Sequence, residues 1–344
     1  VRTLLILGAV FLAFTACNRP TSHAYTRVSV HELYRDSVSI RALDLLPGAL
    51  AMAGSDGFFA SMDLATHKLV SRRQEYQGTF PEFRAVAHTA SDFFMLSVGS
   101  PALLYKTGDQ GQMELVYREE GEGVFYDAMA FWDDTDGIAV GDAMDGCLSM
   151  ILTRNGGQDW EKVPCSLLPP ALEGEGAFAA SNTNIAIVGE HCWVVTSRAR
   201  ILYSPDRGKS WEVFQTPALA GSPSQGLYSL DFFDADTGFA LGGDYTVPAG
   251  NTGNKVATSD GGRSWALMAD GALPGYKSCV RYVPGSGGRD LVAVGFTGID
   301  YSQDGGSTWK TLSEEGFYTL KFLNDSVAYA AGRERVARLV FKTP

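Results

Sequence analysis

SPDRGKSW, residues 204–211, decides how the rest of the chain is read, because three other stretches fit the same template: TRNGGQDW at 153–160, TSDGGRSW at 258–265 and SQDGGSTW at 302–309. Each has Ser or Thr seven residues before the Trp, Asp or Asn five before, and Gly three before. Two weaker copies, TGDQGQME at 107–114 and SMDLATHK at 61–68, keep the hydroxyl and the acid but lose the tryptophan. The four tryptophans fall 44 to 54 residues apart, and a recurring period of that size marks stacked supersecondary units.

Between the template turns the chain reads as short strands, since runs of β-branched and aromatic residues are broken by Gly, Asp and Ser. One unit runs FYDAMAFW (125–132), the turn DDTDG, IAVGD, CLSMILT (147–153), the template and WEKVPC (160–165). Another runs LYSLDFF (227–233), DADTG, FALGGD, NKVATS, the template and WALM (265–268). That is four strands per unit, A to D, and four-stranded antiparallel sheets set radially make a propeller. A strands are expected around Ile40, Phe83, Tyr126, Phe178, Leu230, Val280 and Leu320. The predicted fold is therefore all-β, a seven-bladed β-propeller of four-stranded antiparallel blades over residues 26–344. The last unit supplies three strands, and TRVSVHELY (26–34) is expected to join it as the fourth. Closing the ring in this way removes exposed sheet edges.

At the N-terminus, Arg2 precedes the apolar run TLLILGAVFLAFTA (3–16), which is short for a membrane span. It ends in FTAC (14–17) followed by polar NRPTS. This pattern predicts a lipoprotein signal peptide over 1–16, a lipidated Cys17, and a tether over 17–25, with an ordinary signal peptide as the other reading. Several acyl chains on Cys17 would hold the protein on a bacterial membrane in the cell envelope, facing the periplasm or the surface. Cys147, Cys165, Cys192 and Cys279 then remain, an even number in a compartment where disulfides persist. Cys147 begins strand C and Cys165 ends strand D of one unit, so a hairpin can bring them together; four free thiols are the alternative. The net charge of −11 argues against nucleic acid as a partner, and a monomer is expected.

At the template turns the chain resembles the BNR or Asp-box propellers, and the likeness covers essentially all of the mature sequence. The strings GAFAASNTNIAIVGE (176–190), GLYSLDFFDADTGFALGGDYTVP (226–248) and GYKSCVRYVPG (275–285) are more closely similar to photosystem II stability/assembly factor-like propellers, including bacterial lipoproteins of that type. The resemblance implies a seven-bladed fold and a chaperone-like binding role. Some relatives carry the label oxidoreductase, which no residue pattern here supports.

The template residues Trp160, Asp206, Trp211, Asp260, Trp265, Asp304 and Trp309 are read as structural. Their hydroxyls and carboxylates can bond neighbouring amides, the Gly permits positive φ, and Trp211 and Trp265 are expected to be buried between blades. Binding is expected on the other face, where B-to-C and D-to-A connections surround the channel mouth. Arg41, Arg84, Asp127, Asp142, Asp244, Tyr245 and Lys277 are the candidate ligand-binding residues, with Glu190 and His191 placed on the same side. Arginines and a lysine there suit carboxylates, and the acids suit hydroxyl or amide protons. The expected function is a membrane-anchored binding or assembly module for a partner protein or other polar ligand. A carbohydrate-active propeller, hydrolase or glycan binder, is the alternative.

Catalysis is not assigned. A sialidase site needs a Tyr/Glu pair beside three arginines, and no such pair can be named. Glycoside hydrolysis needs two carboxylates at a defined separation, and Asp127, Asp142, Glu190 and Asp244 are too many to choose among. It still ranks above oxidoreduction, because no G-x-G-x-x-G follows a strand. No metal is expected, because H-E-x-x-H and Cys/His zinc spacings are missing, and no cofactor is expected either.

Overall fold

The computed structural model describes residues 23–108 and 111–344. The expected signal peptide, the expected lipidation site Cys17, most of the expected tether and Asp109 of one weaker repeat lie outside the described residues. The fold is an all-β propeller. Five sheets of four antiparallel strands follow one another over residues 83–119, 126–162, 185–215, 225–267 and 279–313. A sixth, closing sheet has six strands in the order Thr319–Phe322, Val327–Lys342, Arg27–Leu46, Ala49–Gly54, Phe58–Asp63 and Leu69–Arg73.

This corrects the expectation of seven separate four-stranded blades: the structure has six sheets. The difference lies in Arg27–Leu46, one strand where the sequence predicts an outer strand over Thr26–Tyr34 and a separate inner strand near Ile40. With no Gly or Pro between Arg27 and Leu46, nothing breaks the run. Its first half pairs with Val327–Lys342, from Arg27 opposite Lys342 to Ser39 opposite Arg333. Its second half pairs with Ala49–Gly54. The first and last units are thereby fused into one sheet, and the N-terminal segment closes the ring. Inner strands touch in succession, Arg27–Leu46 to Phe83–His88, then Tyr126–Phe131, Ile185–Val188, Gln225–Phe232, Cys279–Tyr282 and Thr319–Phe322, which returns to Arg27–Leu46.

The core is divided among the interfaces between neighbouring sheets. Ala85, Phe94 and Leu104 of one sheet pack with Met129, Ile151 and Trp160 of the next, and Trp193, Ile201 and Tyr203 pack with Leu230, Ala240 and Val256. The inner strand Cys279–Tyr282 is buried but for one residue and the second strand Leu291–Gly295 along its whole length, whereas the outer strand Leu69–Arg73 is mostly exposed. Burial on both faces explains why the inner strands read as unbroken apolar runs rather than alternating ones.

Each template turn is held by its own residues. Thr258 Oγ1 donates to Asp260 Oδ1 at 2.8 Å and accepts from the Gly262 amide at 3.0 Å, while Asp260 accepts from the Ser264 amide at 2.9 Å. Ser204 with Asp206 and Ser302 with Asp304 repeat the pattern. The third-from-Trp glycine answers two demands. Gly262 and Gly306 have φ of +85° and +88°, and a Cβ on Gly306 would lie 2.1 Å from the Phe239 ring of the preceding sheet. The tryptophans depart from expectation: Trp160 is buried, but Trp211, Trp265 and Trp309 are half-buried. The wholly buried tryptophan is Trp193, stacked 3.7 Å from Phe232 and donating to the Gly261 carbonyl at 2.8 Å.

Cys147 and Cys165 form a disulfide with a Cα–Cα distance of 5.5 Å. Cys192 and Cys279 are buried free thiols.

Candidate functional site

The fourth unit does not place its inner strand at Phe178. That strand is Ile185–Val188, and residues 177–184 instead run through the centre of the ring as a plug. Ser181 Oγ donates to the Ser278 carbonyl at 2.6 Å, and the Ser181 carbonyl accepts from Thr319 Oγ1 at 2.9 Å. The Asn182 amide donates to the Val86 carbonyl at 2.7 Å and accepts from the Met129 amide at 2.8 Å. Thr183 Oγ1 donates to Ser229 Oγ at 2.7 Å. Ser181, Thr183 and Asn184 are buried, and these bonds reach five other sheets, so the plug is fixed like core rather than like a loop.

Above the plug lies the funnel. Its lining is placed by a feature repeated at the start of inner strands, a β-bulge, which unpairs a residue and re-aims its side chain. The ladder passes from Ile40 to Ala42, from Phe83 to Ala85 and from Leu227 to Ser229, skipping Arg41, Arg84 and Tyr228. It likewise skips Asp127 between Tyr126 and Ala128, and Asp142 between Gly141 and Ala143. The five bulged residues all line the channel mouth.

The mouth comprises two joined hollows of about 690 and 330 Å³ that share Arg84, Phe178, Ala179 and Tyr245. In the larger, the Arg41 guanidinium lies 4.2 Å over the Tyr318 ring, and its buried Nε has no hydrogen-bonding partner. Burial, and then the charge of Arg84, weaken its hold on its proton. Arg84 is held by Glu82 at 2.6 Å, and Arg333 stands exposed at the rim. Opposite these cations is an aromatic wall: Phe178 stacks on Tyr228 at 3.7 Å, Tyr228 meets Tyr276 edge-on at 4.9 Å, and Tyr276 packs 5.3 Å from Phe296. Tyr245 and Phe296 remain 51% and 45% exposed at the top of that wall.

Asp127 and Asp142 line the smaller hollow. Asp127 has no exposed surface, and its carboxyl oxygens make no well-formed hydrogen bond, although the Ala177 amide and the Asp142 carboxyl act on them. Burial, and then the neighbouring charge of Asp142, push its carboxyl well above the usual range. Burial pushes Asp142 up to about 6.

Of the sequence-derived candidates, Arg41, Arg84, Asp127, Asp142 and Tyr245 come together at this mouth. Lys277 does not. It is buried with its Nζ 2.6 Å from Asp300 and donating to Thr297 and the Gly298 carbonyl. Asp244 caps its own turn, accepting from the Thr246 amide at 2.9 Å, and lines a separate shallow cleft. Glu190 lies on the other face, in the hairpin between Ile185–Val188 and His191–Val195, where it pairs with Arg207 of a template turn at 2.8 Å. Phe178, Phe296 and the plug were missed as site elements.

The opposite mouth holds a further hollow of about 240 Å³ lined by ion pairs. Asp44 Oδ1 accepts from Lys321 at 2.6 Å and Oδ2 lies 2.7 Å from His88 Nδ1, while Arg281 pairs with Asp231 at 3.2 Å. Although burial opposes it, Lys321 and His88 hold the Asp44 carboxyl far below the usual range.

Comparison with known proteins gives a local sequence match and a whole-fold match. No family model matches the chain. Over 67 residues it is 42% identical to a photosystem II assembly protein Ycf48 of Synechococcus sp. (strain JA-2-3B'a(2-13)), and 40% identical to that of strain JA-3-3Ab. Each match spans 19% of this chain and 19% of the curated relative. Solved structures with a similar fold include YCF48 bound to D1 peptide, with TM-score 0.65, 12% identity and 92% of this chain and 98% of that one covered. YCF48 from Cyanidioschyzon merolae gives 0.63, 14%, 92% and 98%, and the RRP9 WD40 repeats give 0.62, 12%, 94% and 99%. The chain is thus a β-propeller with sequence kinship to the Ycf48 assembly proteins over one stretch.

Proposed function

We propose that the protein is an exported, lipid-anchored binding module whose funnel holds a segment of a partner protein during assembly. The observation that carries this reading is the larger hollow, where Arg41, Arg84 and Arg333 face Phe178, Tyr228 and Tyr276 with Tyr245 and Phe296 exposed above them. A wall of cations beside aromatic rings suits a chain segment offering carboxylates or carbonyls together with apolar side chains. The local likeness to a photosystem II assembly protein supports an assembly role, and a neighbouring fold bound to a peptide supports a protein partner.

The second reading, a carbohydrate-active propeller, is favoured by two carboxylates beside Phe178 and Tyr245. Hydrolysis, however, needs both acids to reach one glycosidic bond from about 5 Å or more apart, and Asp127 has no exposed surface.

The test is capture of partners from detergent-solubilised membranes of the source cells. Arg41→Ala with Arg84→Ala should lose the partner held by the parent, whereas Lys209→Glu with Arg263→Glu, on the template turns, should keep it. The reverse pattern would put the binding surface on the wrong face. For the anchor, Cys17→Ser should leave the detergent phase; partitioning like the parent would remove the lipid assignment.

A further inference from the structure

The smaller hollow contains a carboxylate pair with no ion-paired cation: Arg84 lines the hollow and its charge acts on Asp127, but its guanidinium is bonded to Glu82. Asp142 and Asp127 stand on adjacent bulges of one sheet, so both are aimed out of the ladder towards the channel mouth. The wall behind Asp142 is shaped to admit its carboxylate, since a Cβ on Gly176 would lie 1.7 Å from Asp142 Oδ1. Beside it, Asp127 is wholly buried, and its oxygens make no well-formed hydrogen bond beyond the influence of the Ala177 amide and Asp142. A raised pKa relieves the buried charge of Asp127 but not its missing hydrogen bonds, and a buried polar group left so calls for a partner from outside the fold.

We infer that Asp142, backed by Asp127, is a subsite for a cationic group, the ammonium or guanidinium of a lysine or arginine side chain on the segment bound in the funnel. This rests on the reading of the funnel as the binding face and deepens it. Among the described residues, no charged group around the hollow forms an ion pair with Asp142 or Asp127, although the charge of Arg84 reaches Asp127. Arg84, from the neighbouring sheet, is held by Glu82. Arg200 is bonded bidentately to Glu175, and Arg198 donates to the Glu173 carbonyl. The influences acting on Asp142 are burial, the Ala177 amide and Asp127, with no basic side chain among them. A guanidinium reaching this hollow would bond the carboxylate from two nitrogens, while the rest of its segment runs across Phe178 and Tyr245 into the larger hollow.

The probes are acetyl-Gly-Arg-Gly amide and its neutral citrulline counterpart, titrated against the full chain by ligand-observed NMR. The arginine peptide should bind, and more tightly by about tenfold at about pH 7.5 than at about pH 5, because a fixed guanidinium meets an Asp142 that is mostly ionised at the higher pH and mostly protonated at the lower. The citrulline peptide, and the arginine peptide with Asp142→Asn, should bind at least about tenfold more weakly. Equal binding of the two peptides, retention of binding by Asp142→Asn, or affinity unchanged with pH would each overturn the subsite. The pH comparison uses the parent protein, so the result stands even if the variant folds poorly. Failure of the arginine peptide while Arg41→Ala with Arg84→Ala still loses its partner would sink the subsite alone. Expected peptide behaviour with that double variant still holding its partner would sink the funnel reading instead.

Discussion

The template turns and the inner-strand bulges stand on opposite faces of the ring, and each recurs from sheet to sheet, yet they dispose of their polar groups in contrary ways. On the turn face Asp206, Asp260 and Asp304 bond their own turns in the same pattern, and Arg207 is tied to Asp133, Asp136 and Glu190. On the bulge face the same backbone address carries Arg41, Arg84, Asp127 and Tyr228, and both Arg41 Nε and the Asp127 carboxyl lack well-formed hydrogen bonds. Where repeats agree in residue and bonding, the residue serves the fold. Where a shared address carries different chemistry with bonds left open, it is available to a ligand.

The hardest test of that contrast is Trp193, which no template contains. Trp193→Ala empties a site with no exposed surface beneath the Gly262 turn, and it should cost about 3–5 kcal/mol in chemical denaturation. Trp265→Ala, at a half-buried template position, should cost less; equal losses would show that the templates are core after all.

Asp127→Asn tests the opposite face with the opposite sign. The folded-state pKa of Asp127 is raised, so its contribution is fully present below the unfolded value near 4 and is lost as pH rises. Asparagine cannot ionise. The variant should therefore be more stable than the parent by about 1–3 kcal/mol at about pH 7.5, with a smaller gain at about pH 4.5. Thermal melts at both values decide it, and a loss of stability at the higher pH would mean that the carboxylate serves the fold. Asp44 should behave inversely: its depressed pKa gives stability present above its unfolded value and lost as pH falls towards the folded one.

The smallest effect is expected at a template turn. Asp260→Ala removes an acceptor for Ser264 and Thr258, and one exposed turn should lose about 1 kcal/mol. A drop in partner capture with unchanged melting would instead turn this face into a site.

Much of this was legible in the sequence. The tryptophan-ended templates marked the C-to-D turns, and the turns DDTDG and DADTG marked their companions on the same face, where Gly156 and Gly261 bond back to Thr135 and Asp236. The continuity of Arg27–Leu46 escaped because strand ends were inferred from blade arithmetic when no breaker stood there. The plug escaped because AFAASNTN carries small and polar residues that suit a channel filling as well as a strand; only the long-range bonds of Asn182 and Thr183 distinguish them. Lys277 was misplaced because its neighbour Tyr276 does face the funnel while Lys277 turns inward to Asp300. The bulges did leave a trace. Arg41, Arg84, Asp127 and Tyr228 are each followed by Ala or Ser and then by an aliphatic or Met residue, a small-then-large step that lets the chain crowd the axis.

The joining of Arg27–Leu46 to Val327–Lys342 sets a timetable for biosynthesis. Thr26 and Lys342 are 316 positions apart, and at about 5–20 residues per second a ribosome needs roughly 15–60 s to make what lies between them. Through that interval Arg27–Leu46 exposes an unsatisfied edge that must be kept from pairing elsewhere. Val327–Lys342 then acts as a clasp, so a nascent chain stalled short of residue 327 would hold every other sheet and still be an open, adhesive array.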